Sequence, residues 1–264
     1  VVFVSFLSAM RFANWLHNGQ GSGDTETGAY TVVDGIVEDR SVDALYFIPS
    51  EDEWYKAAYY QPEADGGDTD NYWTYATRSN ALPTVATATG AGDIANPGFN
   101  VANWNSSNVT TVGSAGPQGA SYFGTYDQAG NVTEWTEGFS ATQHVGTSRV
   151  IRGGDYLNYI RPVDDMLSSY RPSSWVSSGA SYIGFRVGAA MPRPHLTSVT
   201  PDGSGGVTVH ARGDAGTAYT LMRARDPDGP WTPASSQTPP ASDFSFSVTP
   251  ATPESEVYRI EWTP

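Results

Sequence analysis

The sequence predicts an α+β chain in which a loop-rich first domain is followed by a small all-β sandwich domain. Three patterns point to this fold class. Two amphipathic helical patterns occur before residue 62, and from residue 63 onward Gly, Asn, Asp and Ser interrupt the chain every few positions. After residue 190 the chain instead alternates apolar and polar residues in short runs separated by turns. We therefore expect one domain over residues 1–190 and a second over residues 191–264.

Two helices are expected in the first domain. The first helix follows Ser5, a candidate N-cap, and places Phe6 and Met10 on one apolar face. The second helix follows the S-x-x-E sequence formed by Ser50 and Glu53, which is typical of a capping box. The first residues, "VVFVSFLSAM", contain neither an initiator Met nor a secretion signal, so we expect them to lie inside a domain.

The charge balance excludes several classes of partner. The chain carries 14 basic and 28 acidic residues, for a formal net charge of −14. Such a surface repels phosphate backbones and anionic lipids, so we expect no nucleic-acid partner. No run of apolar residues is long enough for a spanning helix, so we expect no membrane insertion.

Catalytic signatures are missing from the sequence. Cysteine is absent, which excludes disulfides, thiolate metal sites and thiol nucleophiles. The four histidines share no ligand spacing, and there is no nucleophile elbow, zinc-protease motif or P-loop. We therefore predict no catalytic residue and a protein that is not an enzyme.

Four segments of the first domain carry a family resemblance. In chain order they are "RFANWL", "YFIPSEDEWYKAAYY", "YDQAGNVTEWTE" and "RVIRGGDY…SSYR…IGFRV". Together, and in this order, they resemble the formylglycine-generating enzyme (sulfatase-modifying factor) family over residues 1–188. The resemblance implies a C-type-lectin-like fold for the first domain.

The segment "YDQAGNVTEW" suggests a structural calcium site. Its two carboxylates stand seven positions apart with a glycine between them, and calcium takes six to eight hard oxygen ligands, many of them main-chain. By the resemblance, the ligands are Asp127, the carbonyls of Gly130 and Val132, and Glu134. A second family site would involve Asn103. The alternative is that Asp127 caps a turn while Glu134 pairs with an arginine such as Arg152.

The same resemblance shows what this chain lacks. The family's oxidases bind copper through two cysteines after the glycine turn, and the matching positions here are Asn158 and Val163. Neither an amide nor a valine can replace a thiolate as a soft copper ligand. The resemblance therefore implies the scaffold without the oxidase chemistry.

What remains is a surface rich in Tyr, Trp and short polar groups after the "RGG" turn. That composition gives large contact area at low entropy cost, together with adaptable hydrogen bonding. The predicted ligand-binding residues are Asp155, Tyr156, Asn158, Tyr159, Tyr170, Trp175 and Tyr182. The alternative is that these aromatic side chains are half-buried packing between loops.

The frame between "RGG" and "GFRV" also resembles the variable proteins of diversity-generating retroelements, which place hypermutated positions there. We expect a secreted or cell-surface bacterial protein whose partner is a protein or glycan ligand, including one on the surface of another cell. Self-association into a filament or surface layer is an alternative function, and an enzyme with an altered oxidase mechanism is another.

Overall fold

The computed structural model describes residues 1–33, 36–37, 39–139, 147–157, 164–190, 194–250 and 256–262. The chain divides into two compact units, Val1–Ala189 and Ala190–Pro264. The described helices of the first unit are α1 (Phe6–His17), α2 (Glu51–Tyr59) and three short 3-10 turns, Glu63–Asp65, Pro117–Gly119 and Asp164–Met166. Its described strands are β1 (Val32–Val33), β2 (Ile36–Val37), β3 (Tyr46–Phe47), β4 (Thr84–Val85), β5 (Val101–Ala102), β6 (Thr133–Phe139), β7 (Ser148–Arg152), β8 (Ser173–Trp175), β9 (Ile183–Gly184) and β10 (Gly188–Ala189).

Both predicted helix starts are confirmed. The Ser5 side chain accepts a hydrogen bond from the Ser8 amide at 3.1 Å. At α2, the Ser50 hydroxyl accepts from the Glu53 amide at 3.1 Å, and the Glu53 carboxylate accepts from the Ser50 amide at 2.7 Å. This reciprocal pair satisfies two amides that have no partner inside the helix. No helix in the described ranges is both long and apolar enough to cross a membrane.

One four-stranded sheet organises the first unit, in the order β8–β7–β6–β9. Strand β7 lies antiparallel to both β6 and β8, while β9 runs parallel to β6. Every residue of β7 is buried, including its two arginines, Arg149 and Arg152. Helix α2 packs beside this sheet and contributes Trp54 and Tyr59 to the main core, where they meet Trp104 and Met166.

The second unit is a small all-β sandwich, as predicted. Its described strands are β11 (His195–Pro201), β12 (Val207–Arg212), β13 (Tyr219–Ala224), β14 (Thr232–Gln237), β15 (Asp243–Val248) and β16 (Val257–Trp262). They form two three-stranded antiparallel sheets, β11–β12–β15 and β14–β13–β16. Val209 and Phe246 from one sheet, with Tyr219 and Leu221 from the other, form the core between them.

Candidate ligand-binding surface

A two-glycine turn ends β7 and sets the direction of the chain that follows. Gly153 and Gly154 have φ angles of +99° and +71°, a region that side chains with a Cβ rarely adopt. A Cβ on Gly153 would lie 3.0 Å from the carbonyl oxygen of Gln128 and 3.2 Å from the indole of Trp54. The turn therefore requires glycine both for its backbone conformation and for its close packing.

The chain after this turn is fixed by backbone hydrogen bonds on both sides. The Tyr156 amide donates to the Asn131 carbonyl at 3.1 Å, and the Tyr156 carbonyl accepts from the Ser106 amide at 2.7 Å. The Tyr182 carbonyl accepts from the Thr133 amide at 2.8 Å. Two distant segments thus attach to residues 131 and 133, at the start of β6, which holds the backbones of Tyr156 and Tyr182 in place.

The side chains at this position differ in exposure. Tyr182 is 37% exposed, whereas Asp155 and Tyr156 are half-buried. Burial raises the pKa of Asp155 to about 6, although hydrogen bonds from the Leu157 amide and the Thr133 side chain oppose that rise. Thr133 thus contacts both Asp155 and Tyr182, so the structure brings these residues together at one end of the sheet.

Of the other predicted ligand-binding residues, Trp175 lies away from this patch. Trp175 is 48% exposed but pairs with Ser148, at the opposite end of β7 from Arg152. Ser148 and Arg152 are four positions apart along the strand, a distance of roughly 13 Å. Tyr170 is half-buried, and its carbonyl accepts from the Arg152 guanidinium. Asn158 and Tyr159 lie outside the described residues, as does Val163.

The predicted calcium loop holds an ion pair. The Glu134 side chain is 7% exposed, and both of its oxygens accept hydrogen bonds from Arg186. The Trp54 indole donates to one of those oxygens at 2.7 Å. A guanidinium thus occupies the position where a cation would meet this carboxylate.

The other predicted calcium ligands are also engaged. One oxygen of Asp127 accepts from the Gly113 amide at 2.8 Å, and burial raises the pKa of this carboxyl. Asn103 is 2% exposed; its side chain donates to the Asn108 carbonyl, and its own carbonyl accepts from the Asn131 amide. Gly130 packs directly against the Asn103 carbonyl, while Val132 is half-buried.

These contacts do not fit a calcium ion bound by Glu134, because the ion would have to displace Arg186. Within the described ranges, no three His, Cys, Asp or Glu side chains form a group that could hold a metal. Calcium at this loop, or at Asn103, stays an untested prediction, and the ion pair argues against Glu134 as one of its ligands. Glu134 does pair with an arginine, as the alternative to calcium expected, but the partner is Arg186 of the "GFRV" segment. Arg152 only faces Glu134 in the β6–β7 register.

Comparison with known proteins assigns the first unit. The family model "Sulfatase-modifying factor enzyme 1-like domain" matches residues 1–191. The chain belongs to this family. The predicted family membership and C-type-lectin-like fold are thereby confirmed, and the family's cysteine chemistry is absent because the chain has no cysteine.

Two solved structures are similar to this sulfatase-modifying-factor-type chain. Treponema denticola variable protein 1 is 20% identical, with a TM-score of 0.43, over 71% of this chain and 69% of that one. The protein CarF is 22% identical, with a TM-score of 0.43, over 71% of this chain and 66% of that one. No curated protein matches the chain.

Proposed function

We propose that this family member is a non-catalytic binding protein whose ligand contacts the surface formed by Asp155, Tyr156 and Tyr182. One observation carries the proposal. The backbones of Tyr156 and Tyr182 are both hydrogen-bonded to residues 131–133, while their side chains remain partly exposed. A binding surface held in place before its ligand arrives loses less conformational entropy on association.

The chemistry of these side chains suits recognition. Tyrosine offers a large, rigid contact area and a hydroxyl, and the Asp155 carboxylate adds a hydrogen-bond acceptor. Copper-dependent oxidation of the kind found in the family's oxidases would need thiolate ligands, and the chain has no cysteine to supply them. Copper or iron bound stoichiometrically by the purified protein would favour an enzyme with an altered mechanism.

The proposed ligand is a protein or a glycan, and the proposed location is the cell surface or the medium. The proposed surface extends into the segment containing Asn158 and Tyr159, and the retroelement resemblance suggests that this segment varies between cells. Deep sequencing of the coding region for residues 150–186 tests the variability. Substitutions concentrated at 155–160 and 173–183 would support it, and an invariant stretch would overturn it.

The binding test uses the full chain on protein and glycan arrays, followed by affinity measurements on any ligand found. We expect Tyr156→Ala and Tyr182→Ala to weaken binding about tenfold or more, as central aromatic anchors do. The matched control is Tyr122→Ala, which removes a tyrosine of similar exposure, 38%, from another part of the same unit. Equal losses in all three variants, or binding unaffected by the first two, would contradict the proposed surface.

A further inference from the structure

A second concave site lies at the other end of β7 from the Asp155 surface. It is a cavity of about 510 Å³, within the size range of sites for small molecules. Its described walls come from the start of α1, the start of α2 and the ends of β6 and β7 that meet where Phe139 pairs with Arg149. The cavity therefore sits where four elements meet, on a part of the unit that the proposed function does not use.

Arg149 in the wall of this cavity is a buried cation with two unsatisfied nitrogens. The residue is 2% exposed, and its Nε and Nη1 atoms are buried with no hydrogen-bond acceptor among the described residues. Its Cζ atom lies 3.5 Å from the centre of the Phe139 ring and 5.2 Å from that of Phe6. Burial lowers the pKa of Arg149, the nearby Asp39 and Glu137 carboxylates oppose that change without bonding to it directly, and a guanidinium remains charged in proteins. A buried charge without a partner is costly, which is why most buried charges are paired.

The neighbouring arginines do have partners. Arg171 pairs with Glu51 at 2.5 Å, and Arg40 pairs with Glu53 at 3.0 Å and with Glu137 at 3.7 Å. Glu137 also accepts a hydrogen bond from the Tyr30 hydroxyl. Within the described residues no carboxylate forms an ion pair with Arg149, so among the three arginines lining the cavity it is the one left to meet an external anion.

We propose that this cavity binds a small organic monocarboxylate, with its carboxylate on Arg149 and its apolar or aromatic body against Phe6 and Phe139. The carboxylate would supply the acceptors that the guanidinium lacks, in the paired geometry that arginine and carboxylate favour. Four carboxylates line the cavity beside the three guanidiniums: Asp39, Glu51, Asp52 and Glu137. Because repulsion by the surrounding carboxylates grows with the charge of the ligand, this lining disfavours a dianion such as phosphate more than a monocarboxylate.

The test is a binding titration of the full chain with phenylacetate, followed by NMR or calorimetry. Three further probes separate the contributions: acetate has no aromatic body, 2-phenylethanol has no charge, and inorganic phosphate is the competing anion class. We expect phenylacetate to bind more tightly than any of the other three. Tighter binding of phosphate, or no binding of phenylacetate at millimolar concentration, would overturn the proposal.

The variant Arg149→Met removes the charge and keeps an apolar side chain against the two rings. We expect it to weaken phenylacetate binding at least about tenfold, the effect of losing one charged contact of ordinary strength. In the absence of ligand we expect it to be as stable as the wild type or more stable, since an unpaired buried charge has been removed. The control Arg212→Met removes a surface guanidinium of the second unit and should leave binding unchanged.

Arg149→Lys provides a second variant in case the methionine variant does not fold. It keeps a positive charge but loses the planar guanidinium, so we expect its affinity for phenylacetate to lie between those of the wild type and of Arg149→Met. Undiminished phenylacetate binding in both Arg149 variants would place the ligand elsewhere and overturn the assignment.

Discussion

Arg186 donates to both carboxylate oxygens of Glu134, while Trp54 of helix α2 donates to one of them. The pair joins the end of the first unit to the middle of its central sheet, and the indole adds α2 to the same contact. Because the Glu134 side chain is almost fully buried, these donors offset the cost of removing its carboxylate from water.

Removing the arginine should destabilise the first unit strongly. We expect Arg186→Gln to lower its free energy of unfolding by about 3 kcal/mol, because a buried carboxylate then loses its ionic partner. The measurement is urea denaturation followed by tryptophan fluorescence. Arg212→Gln is the control, since its partner Asp243 is 74% exposed, and it should cost less than about 1 kcal/mol. Similar small losses in both variants would contradict the structural role of Arg186.

Calcium should have little effect on the stability of the wild-type protein. Arg186 already neutralises Glu134, so an ion gains no free carboxylate there. We expect the Tm to differ by less than about 2 °C between calcium and EGTA, since the Tm reports ligand binding to the folded state. Isothermal titration calorimetry with calcium is the second readout. A calcium-dependent rise of many degrees would show that the ion displaces Arg186 or binds elsewhere in the loops.

Asp155 should make the stability depend on pH. Burial raises its folded pKa from 3.8 to about 6, so the folded state holds the proton more tightly than the unfolded chain. The stability contribution of Asp155 is therefore greatest below pH 4 and is lost as the pH rises through 6. We expect Asp155→Asn to be more stable than the wild type by about 1 kcal/mol at pH 8, after allowance for partial exposure, and nearly equal to it at pH 4. A difference that is the same at both pH values would refute this origin.

The glycine at the end of β7 should tolerate no side chain. We expect Gly153→Ala to cost about 3 kcal/mol, from its positive φ angle and from the contacts of the added Cβ with the Gln128 carbonyl and the Trp54 ring. Gly124→Ala is the matched control: Gly124 also has a positive φ, +78°, but a Cβ there meets nothing within 4 Å. Its cost should be about 1 kcal/mol. Thermal unfolding compares the two variants, and equal costs would contradict the packing argument.

Local features of the fold could be predicted because the atoms that determine them are close in sequence. The capping box of Ser50 and Glu53 needs only a three-residue spacing, and the turn at Gly153 and Gly154 is set by its own backbone. The resemblance of four ordered segments to one family predicted the C-type-lectin-like fold of the first unit. The alternating apolar pattern after residue 190 predicted the β-sandwich of the second.

The contacts at the candidate binding surface and at Glu134 join residues that are far apart in sequence, so the spacing of residues along the chain does not predict them. Glu134 and Arg186 are 52 positions apart, so only the folded chain brings them together. Trp175 and Tyr182 are seven residues apart, but Trp175 ends β8 and Tyr182 precedes β9, and these strands are the opposite edges of the sheet. Nothing in the sequence around Arg149, "SRVIR", indicates that its guanidinium is buried with unsatisfied nitrogens.

The pairing of β9 with β6 has a consequence for how this domain can change. Residues 153–172 connect β7 to β8, and residues 176–182 connect β8 to β9, so both connections begin and end on strands of a single sheet. The loop ends are thus clamped by main-chain bonds that do not depend on which side chains lie between them. Side chains in these two stretches can therefore be replaced without breaking the bonds that hold the loop ends, except where packing fixes them, as at Gly153 and Met166.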